Sequence, residues 1–434
     1  SNGLGISRWD TVVASKQNGL WDVENCDTRD SQIVLSPAFN TCTIVPSRSD
    51  VNLPLQYINE LYFAESNRGA SSGVPFAYAY QFVPPFTIGS FREVSSQVSI
   101  GSLNAIYTEG RDIAAAAFEA FIRVATLGGV GTIIGSLPRT TVQSQFASLG
   151  GTLHLLTYNK STQQANMFIS DYGISVLSSV ATINTLVGSY LSPMITDGIK
   201  MYAQLPEGIY NFDNTPAIEV DTSQAKEMNG QMAMYLNQLC FKSNLSLIKY
   251  DGVDLTSIGY NLKDGLPGDK TGQITAMAST FKYLFAAVQG ATYSHILSWD
   301  NKAWQYYGRI PSPGLWVQRL FLSNQPDAID RLWCIYGNYG YPGYFLNPIV
   351  NPISAGTYSY VPTGHFTPPN YDGGLPEQKA GFYNLSVSGK ANGSNGIRCF
   401  YGLDANSPIT TLGDIASNSQ AFIIGSPSGL VGNS

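Results

Sequence analysis

Charge is scarce in this chain. Only 12% of its 434 residues are Asp, Glu, Lys or Arg, about half the usual share of roughly 25%. The formal net charge is −6, and no Lys/Arg cluster appears anywhere. That excludes the electrostatic footprint of a nucleic-acid binder. Long apolar runs are absent as well. Nothing approaches the roughly 18 residues of a transmembrane helix, so no membrane span is expected. The start, Ser1-Asn2-Gly3, is polar and does not read as a secretory leader.

The residues of catalysis and metal binding are equally thin. The three histidines, His154, His295 and His365, stand far apart, so no metal site is expected from them. The five cysteines are Cys26, Cys42, Cys240, Cys334 and Cys399. None lies in a CxxC, which excludes a zinc ribbon or a redox motif. They read as buried free thiols, and only Cys26 and Cys42 are close enough in sequence to suspect a bridge. There is no GxSxG and no HExxH. Gly128-Gly129-Val130-Gly131 lacks the Lys-Ser/Thr of a phosphate loop and reads as a turn. Catalytic residues: none are assigned. Cofactor-binding and metal-binding residues: none. The expectation is a protein that is not an enzyme. A glycosidase carboxylate pair stays open, because such pairs come from distant strands.

What the chain has in abundance is turn and strand chemistry. It holds 43 Gly, 23 Pro and 26 Tyr, and 44% of its residues are hydrophobic. This composition favours many strands and many turns in a globular fold. With so little charge, the surface is built from Ser, Thr, Asn, Gln, Gly and Tyr, as in extracellular or particle-borne β proteins. Glycosylation acceptor patterns begin at Asn159, Asn244, Asn384 and Asn392. Chance produces such matches in a chain rich in Ser and Asn.

One stretch organises the rest. Residues 272–308 hold three short runs, 273–278, 283–288 and 295–299, then a turn at Asp300-Asn301 and the aromatics Trp304, Tyr306 and Tyr307. The first run alternates apolar and polar, the period of a strand. A meander of four strands in about 40 residues is the blade of a β-propeller. Residues 101–135 match it run for run. There 112–126 (DIAAAAFEAFIRVAT) has the composition of a helix, but the repeat requires strands. Further units begin near Val142, Lys200 and Gly230, and another follows at 317–348. Asp171, Asp213, Asp251 and Asp300 recur after the third run of their units. Asp before Asn or Gly is hairpin chemistry.

The expected fold is all-β: a propeller of about six to seven blades, with an N-terminal arm and a C-terminal β-sandwich-like segment. Residues 1–51 form the arm, 52–350 the propeller, 351–375 a Pro/Gly/Tyr-rich linker and 376–434 the C-terminal segment. Ser298 to Trp304 resembles both the Trp-Asp of WD-type repeats and the Asp-box turn of sialidase-like propellers, without the Gly-His of the first or the Gly of the second. It reads as a hairpin that closes a blade. The aromatics from Trp304 to Tyr344 read as core around Trp333 and as a loop over 336–344.

Three segments carry a family resemblance. Asn25-Cys26-Asp27-Thr28-Arg29-Asp30 resembles an Asn-x-Asp-x-Arg-Asp/Gly lead-in. Leu247 to Gly252, with Lys263-Asp264-Gly265-Leu266-Pro267 after it, looks like a blade-to-blade connection. Ile397 to Asp404, followed by Ile409 to Gly413, looks like a sandwich-like C-terminal segment. Together they are similar to propeller-bearing structural proteins of tailed bacteriophages. The resemblance implies a non-enzymatic tail, baseplate or adaptor component located in the virion. Its partners would be other virion proteins, copies of itself and a host-surface glycan or receptor. The alternative is a secreted, extracellular propeller that binds or processes carbohydrate.

Overall fold

A computed structural model describes the backbone of the strands named below. It describes side chains over 20–42, 146–184, 194–211, 232–259, 270–350, 359–367, 396–401 and 410–415, apart from short breaks. The described residues form seven four-stranded antiparallel sheets. The sixth is the organising stretch: Gln273–Ser279, Leu284–Gln289, Ser294–Trp299 and Trp304–Arg309. The innermost strands of successive sheets touch in turn, from Val51–Tyr57 in the first to Val317–Ser323 in the seventh. The protein is a β-propeller. The sheet that sequence reading did not recognise as a unit is the first, at Val51–Tyr57, Glu60–Ser66, Ala77–Val83 and Thr87–Glu93.

Burial explains the sequence of the sixth sheet. Its strands are covered on both faces, because each sheet stacks against two neighbours. The alternation in 273–278 therefore sorts residues between two cores rather than between core and water. Ile274 and Met277 join Ala233, Tyr235 and Leu247 of the fifth sheet. Ala276 and Ala278 join Val317, Leu332 and Phe345 of the seventh. Burying a side chain such as Phe285, which is fully enclosed, contributes about 1.5–3 kcal/mol.

Within 112–126 lie two strands, Asp112–Ala117 and Ala120–Val124, paired antiparallel with each other. Pairing with Leu103–Glu109 on one side and Gly131–Ser136 on the other overrides the helix propensity of the alanines. The unit placed at Lys200 opens earlier, with Met194–Thr196, so Met201–Leu205 is its second strand. The aromatic loop over 336–344 is in part a strand. Tyr341–Leu346 is the third of the seventh sheet, with Tyr341 opposite Tyr336.

The described part of residues 1–51 is woven into the propeller. Asn40–Thr41 is the fourth strand of the seventh sheet, opposite Tyr344 and Gly343. Upstream, Asp22–Glu24 pairs with His365–Thr367 of the 351–375 segment, and Cys26–Asp27 pairs with Val34–Leu35. Leu20, Val23 and Cys26 sit in one core with Trp304 and Tyr306. Over 376–434 the strands nest: Ala380–Phe382 with Leu430–Gly432, Asn384–Ser388 with Ser419–Ile423, and Ile397–Tyr401 with Thr410–Ile415. The pairing of Leu430–Gly432 supplies a closing strand that its short Leu-Val-Gly sequence does not advertise. All five cysteines are free thiols, and all but Cys42 are buried.

Candidate interaction surface

Each sheet has two ends. At one end lie the turns between first and second strands and between third and fourth. At the other lie the turns between second and third strands and the crossings to the next sheet. Three of the four recurring aspartates belong to the first of these ends in the described residues. Asp213 lies outside them. Asp251 Oδ1 accepts the backbone N–H of Val253 (2.9 Å) and Asp254 (2.8 Å). Asp300 Oδ1 accepts those of Lys302 and Ala303, both at 2.9 Å. Asp171 reaches further, to Val176 (2.7 Å).

The same device appears where the sequence did not advertise it. Asp197 caps Ile199 and Lys200 between the first two strands of the fourth sheet. In the sixth, Thr280 Oγ1 caps Lys282 and Tyr283. These are side chains closing turns on their own backbone. Backbone N–H donors hold the Asp251 carboxyl below the ordinary range. Burial pulls Asp197 up, but bonds from the Lys200 and Ile199 N–H groups and the Tyr202 hydroxyl leave it lowered.

Held at the tips of these turns are large apolar side chains. Ile199 is 83% exposed, Leu236 50%, Phe281 75% and Ile329 40%. They are one each from the first turns of the fourth, fifth, sixth and seventh sheets. Val176 and Val253 stand in the outer turns of the third and fifth, with Val253 84% exposed. The opposite end differs. Its described turn residues include Thr162, Gln163, Gly290, Ala291, Thr292 and Gly337, and no large apolar residue is exposed among them. Sequence reading missed these tips. The available signal was a large apolar residue directly after Asp-Gly, as in Asp197-Gly198-Ile199 and Asp251-Gly252-Val253.

The lead-in motif builds a clasp rather than a reactive site. Arg29 and Asp27 are both buried and bonded, Nη2 to Oδ2 at 2.8 Å. The guanidinium also donates to the Pro348 carbonyl and lies 4.8 and 4.4 Å from the centres of the Tyr283 and Tyr307 rings. Burial alone would lower the Arg29 pKa; the charge and hydrogen bonds of Asp27 leave it raised. Thr28 Oγ1 donates to Gln305 Oε1 (2.8 Å), and its N–H donates to Tyr306. Asp30 lies outside the described residues.

The remaining titratable and aromatic groups have separate structural settings in the described residues. Among the described residues, no three or more of His, Cys, Asp and Glu cluster as metal ligands. His154 is buried beside the Thr152 carbonyl (3.0 Å), and burial lowers its pKa. His295 is buried beside the Tyr306 hydroxyl (3.4 Å). His365 is more open, 3.7 Å from Asp22, which raises its pKa. Of the aromatics, Trp304, Tyr306, Tyr307, Trp333 and Tyr336 are buried. Trp304 Nε1 donates to the Ile258 carbonyl (2.8 Å), tying the sixth sheet to the fifth.

No protein-family model and no curated protein matches the chain. Solved structures resemble it in fold. The extracellular domain of BT4673 from B. thetaiotaomicron is 12% identical with a TM-score of 0.46; the match covers 70% of this chain and 39% of that one. Saccharomyces cerevisiae Sqt1 is 11% identical, TM-score 0.43, covering 72% of this chain and 100% of that one. The WD40 domain of Neurospora crassa Pan2 is 11% identical, TM-score 0.38, covering 70% and 90%. At such identities the likeness concerns the fold alone.

Proposed function

We propose that this chain is a non-enzymatic structural protein of a virion, a tail, baseplate or adaptor component of a tailed bacteriophage that works by docking to other proteins. The observation that carries the docking role is the row of exposed apolar turn tips on one end of the sheets. Isolated apolar side chains are ordinary on a surface, but a concentrated set marks an interaction site. The low charge of the whole chain supports a role inside an assembly. The virion setting rests on the resemblance of the lead-in, connection and C-terminal segments. The second reading is a secreted propeller that binds or processes carbohydrate: Trp304 and Trp333 are buried and unavailable for stacking on sugars, whereas Trp316, Tyr341 and Tyr344 are partly exposed.

Two observations test this. Portal, tape-measure or capsid reading frames are expected beside the one that encodes this chain. Negative-stain images of the purified protein should show rings or association with particles. Monomers alone, together with unrelated neighbouring genes, would overturn the virion role.

A further inference from the structure

We propose that Lys270 and Asp22 condense to an isopeptide bond that ties the N-terminal arm to the sixth sheet. The bond is a modification of the chain by itself and is independent of the docking role.

Burial comes first. Lys270 lies just ahead of Gln273–Ser279, and its side chain is 0% exposed. Of the described lysines only Lys242 is also buried, at 8%. Lys270 Nζ meets Asp22 Oδ1 at 3.0 Å, across 248 positions of sequence. A buried ion pair is a weak stabiliser, because taking the charges out of water offsets their attraction. An amide in its place is neutral and removes that penalty.

Geometry comes second. Asp22 is opposite Thr367 and Glu24 is opposite His365, so His365 is the diagonal neighbour of Asp22. Its Nε2 stands 3.7 Å from Asp22 Oδ2. The other oxygen, Oδ1, also accepts the Val23 N–H (2.9 Å). The carboxyl therefore has an amine and an N–H donor at one oxygen and an imidazole at the other. Glu24, on the same face of its strand, is held by Arg309. The Tyr306 ring lies 5.8 Å from Nζ. The Asp22 side chain keeps 25% exposure, which leaves a way out for water. Groups held in this way react as if at about 10⁵–10⁸ M.

The step balances without a co-reactant. One proton of the Lys270 ammonium passes to the carboxylate, which frees the Nζ lone pair. Nζ bonds to Cγ, and the charge that gathers on Oδ1 meets the Val23 N–H. The His365 imidazolium gives a proton to Oδ2 and recovers one from Nζ. The Cγ–Oδ2 bond breaks. Oδ2 leaves as water with two of the three ammonium hydrogens, and the third stays on the amide nitrogen. Nothing is oxidised or reduced. The ionised pair is the state before condensation. The pull of Asp22 on the His365 pKa belongs to that state, and Lys270→Met retains it.

The test is the mass of the purified full chain, measured intact after denaturation. It is expected one water, about 18 Da, below the mass of the sequence. Digestion should release a branched peptide that joins Asp22 to Lys270. Lys270→Met should carry its full sequence mass. Asp22→Asn should condense with loss of ammonia instead, about 17 Da, a signature that only a folded chain gives. Sampled during cell-free synthesis, His365→Ala should lose water about a hundredfold more slowly. Full sequence mass in the wild type after prolonged incubation of the folded chain overturns the proposal. So does a deficit that survives in Lys270→Met, since water would then be lost elsewhere, as at Asp197-Gly198 or Asp251-Gly252. An equal rate in His365→Ala overturns the part given to His365. None of these outcomes depends on particle association.

Discussion

The sixth and seventh sheets are neighbours with one shared core, yet they are closed in different ways. The sixth takes its fourth strand from the next residues of the chain, Trp304–Arg309. The seventh takes Asn40–Thr41 from the other end of the sequence, and only two residues pair. A strand that short has little hold of its own, and closing so long a loop costs entropy. The chain compensates with side chains around it. Arg29 reaches Pro348, 319 positions away, and Phe39 packs edge-on against Tyr336 and Phe345. Local closure needs only a capped turn; remote closure needs a buried clasp.

The most damaging way to test that contrast is Arg29→Ala. It leaves the Asp27 carboxylate buried and unpaired, at a cost of about 3–5 kcal/mol. Urea unfolding should show this as a large fall in the midpoint. A loss below ~1 kcal/mol would mean that the clasp does not hold the seventh sheet. A sharper comparison sets two glycines against each other. At Gly343 an added Cβ would stand 2.2 Å from Phe39 Cζ and 3.0 Å from the Asn40 carbonyl. Gly343→Ala should therefore push the donated strand away and cost about 1–3 kcal/mol. At Gly308 the nearest atom is Phe345 Cε1 at 3.0 Å, the edge of a ring that can tilt. Thermal melts should place Gly308→Ala well above Gly343→Ala.

On the local side, Asp300→Ala removes the acceptor of two backbone N–H groups in a turn that water reaches. About 0.5–1.5 kcal/mol should be lost, and Asp300→Asn should recover most of it. An unchanged melt for Asp300→Ala would remove the cap from the account of local closure. The smallest effect concerns the outer edge of the clasp. Asp22 raises the pKa of His365, with burial opposing, so the protonated ring is favoured in the folded protein. The pair's contribution is complete below the ordinary histidine pKa of about 6.5 and is lost as pH rises through the raised value. His365 is 59% exposed, so the change should stay well under ~1 kcal/mol. A small decline in stability above neutral pH, absent in His365→Ala, is the expected result.

The propeller was legible because its signals are local. Strand runs, turn aspartates and a period of about 40 residues can be seen without knowing what touches what, and Asp251 and Asp300 do cap their turns. The first sheet was harder. Its strands at 51–57 and 60–66 mix polar and apolar residues and lack a marking Asp-Asn or Asp-Gly turn. The donated strand was not legible at all: Asn40 and Thr41 have neither strand composition nor a nearby partner, and Gly343 makes room for them from the far end of the chain. The apolar tips escaped for a related reason. Ile199 or Phe281, read in sequence, is one more hydrophobic residue, and only the register of the neighbouring strands puts it at a turn in water.

The free thiols carry a further consequence, for reactivity. Burial, chiefly, pushes Cys26, Cys42 and Cys240 up to about 12, and holds Cys334 well above the ordinary thiol range as well. At neutral pH the reactive thiolate is then present at roughly one part in 100,000. An alkylating reagent can modify such a thiol at speed only while the structure around it is open. Cys26 lies in the clasp, Cys240 in the fifth sheet and Cys334 in the seventh. Three regions thus carry one chemical clock each, and the order in which these thiols are modified gives the order in which the clasp, the fifth sheet and the seventh sheet open.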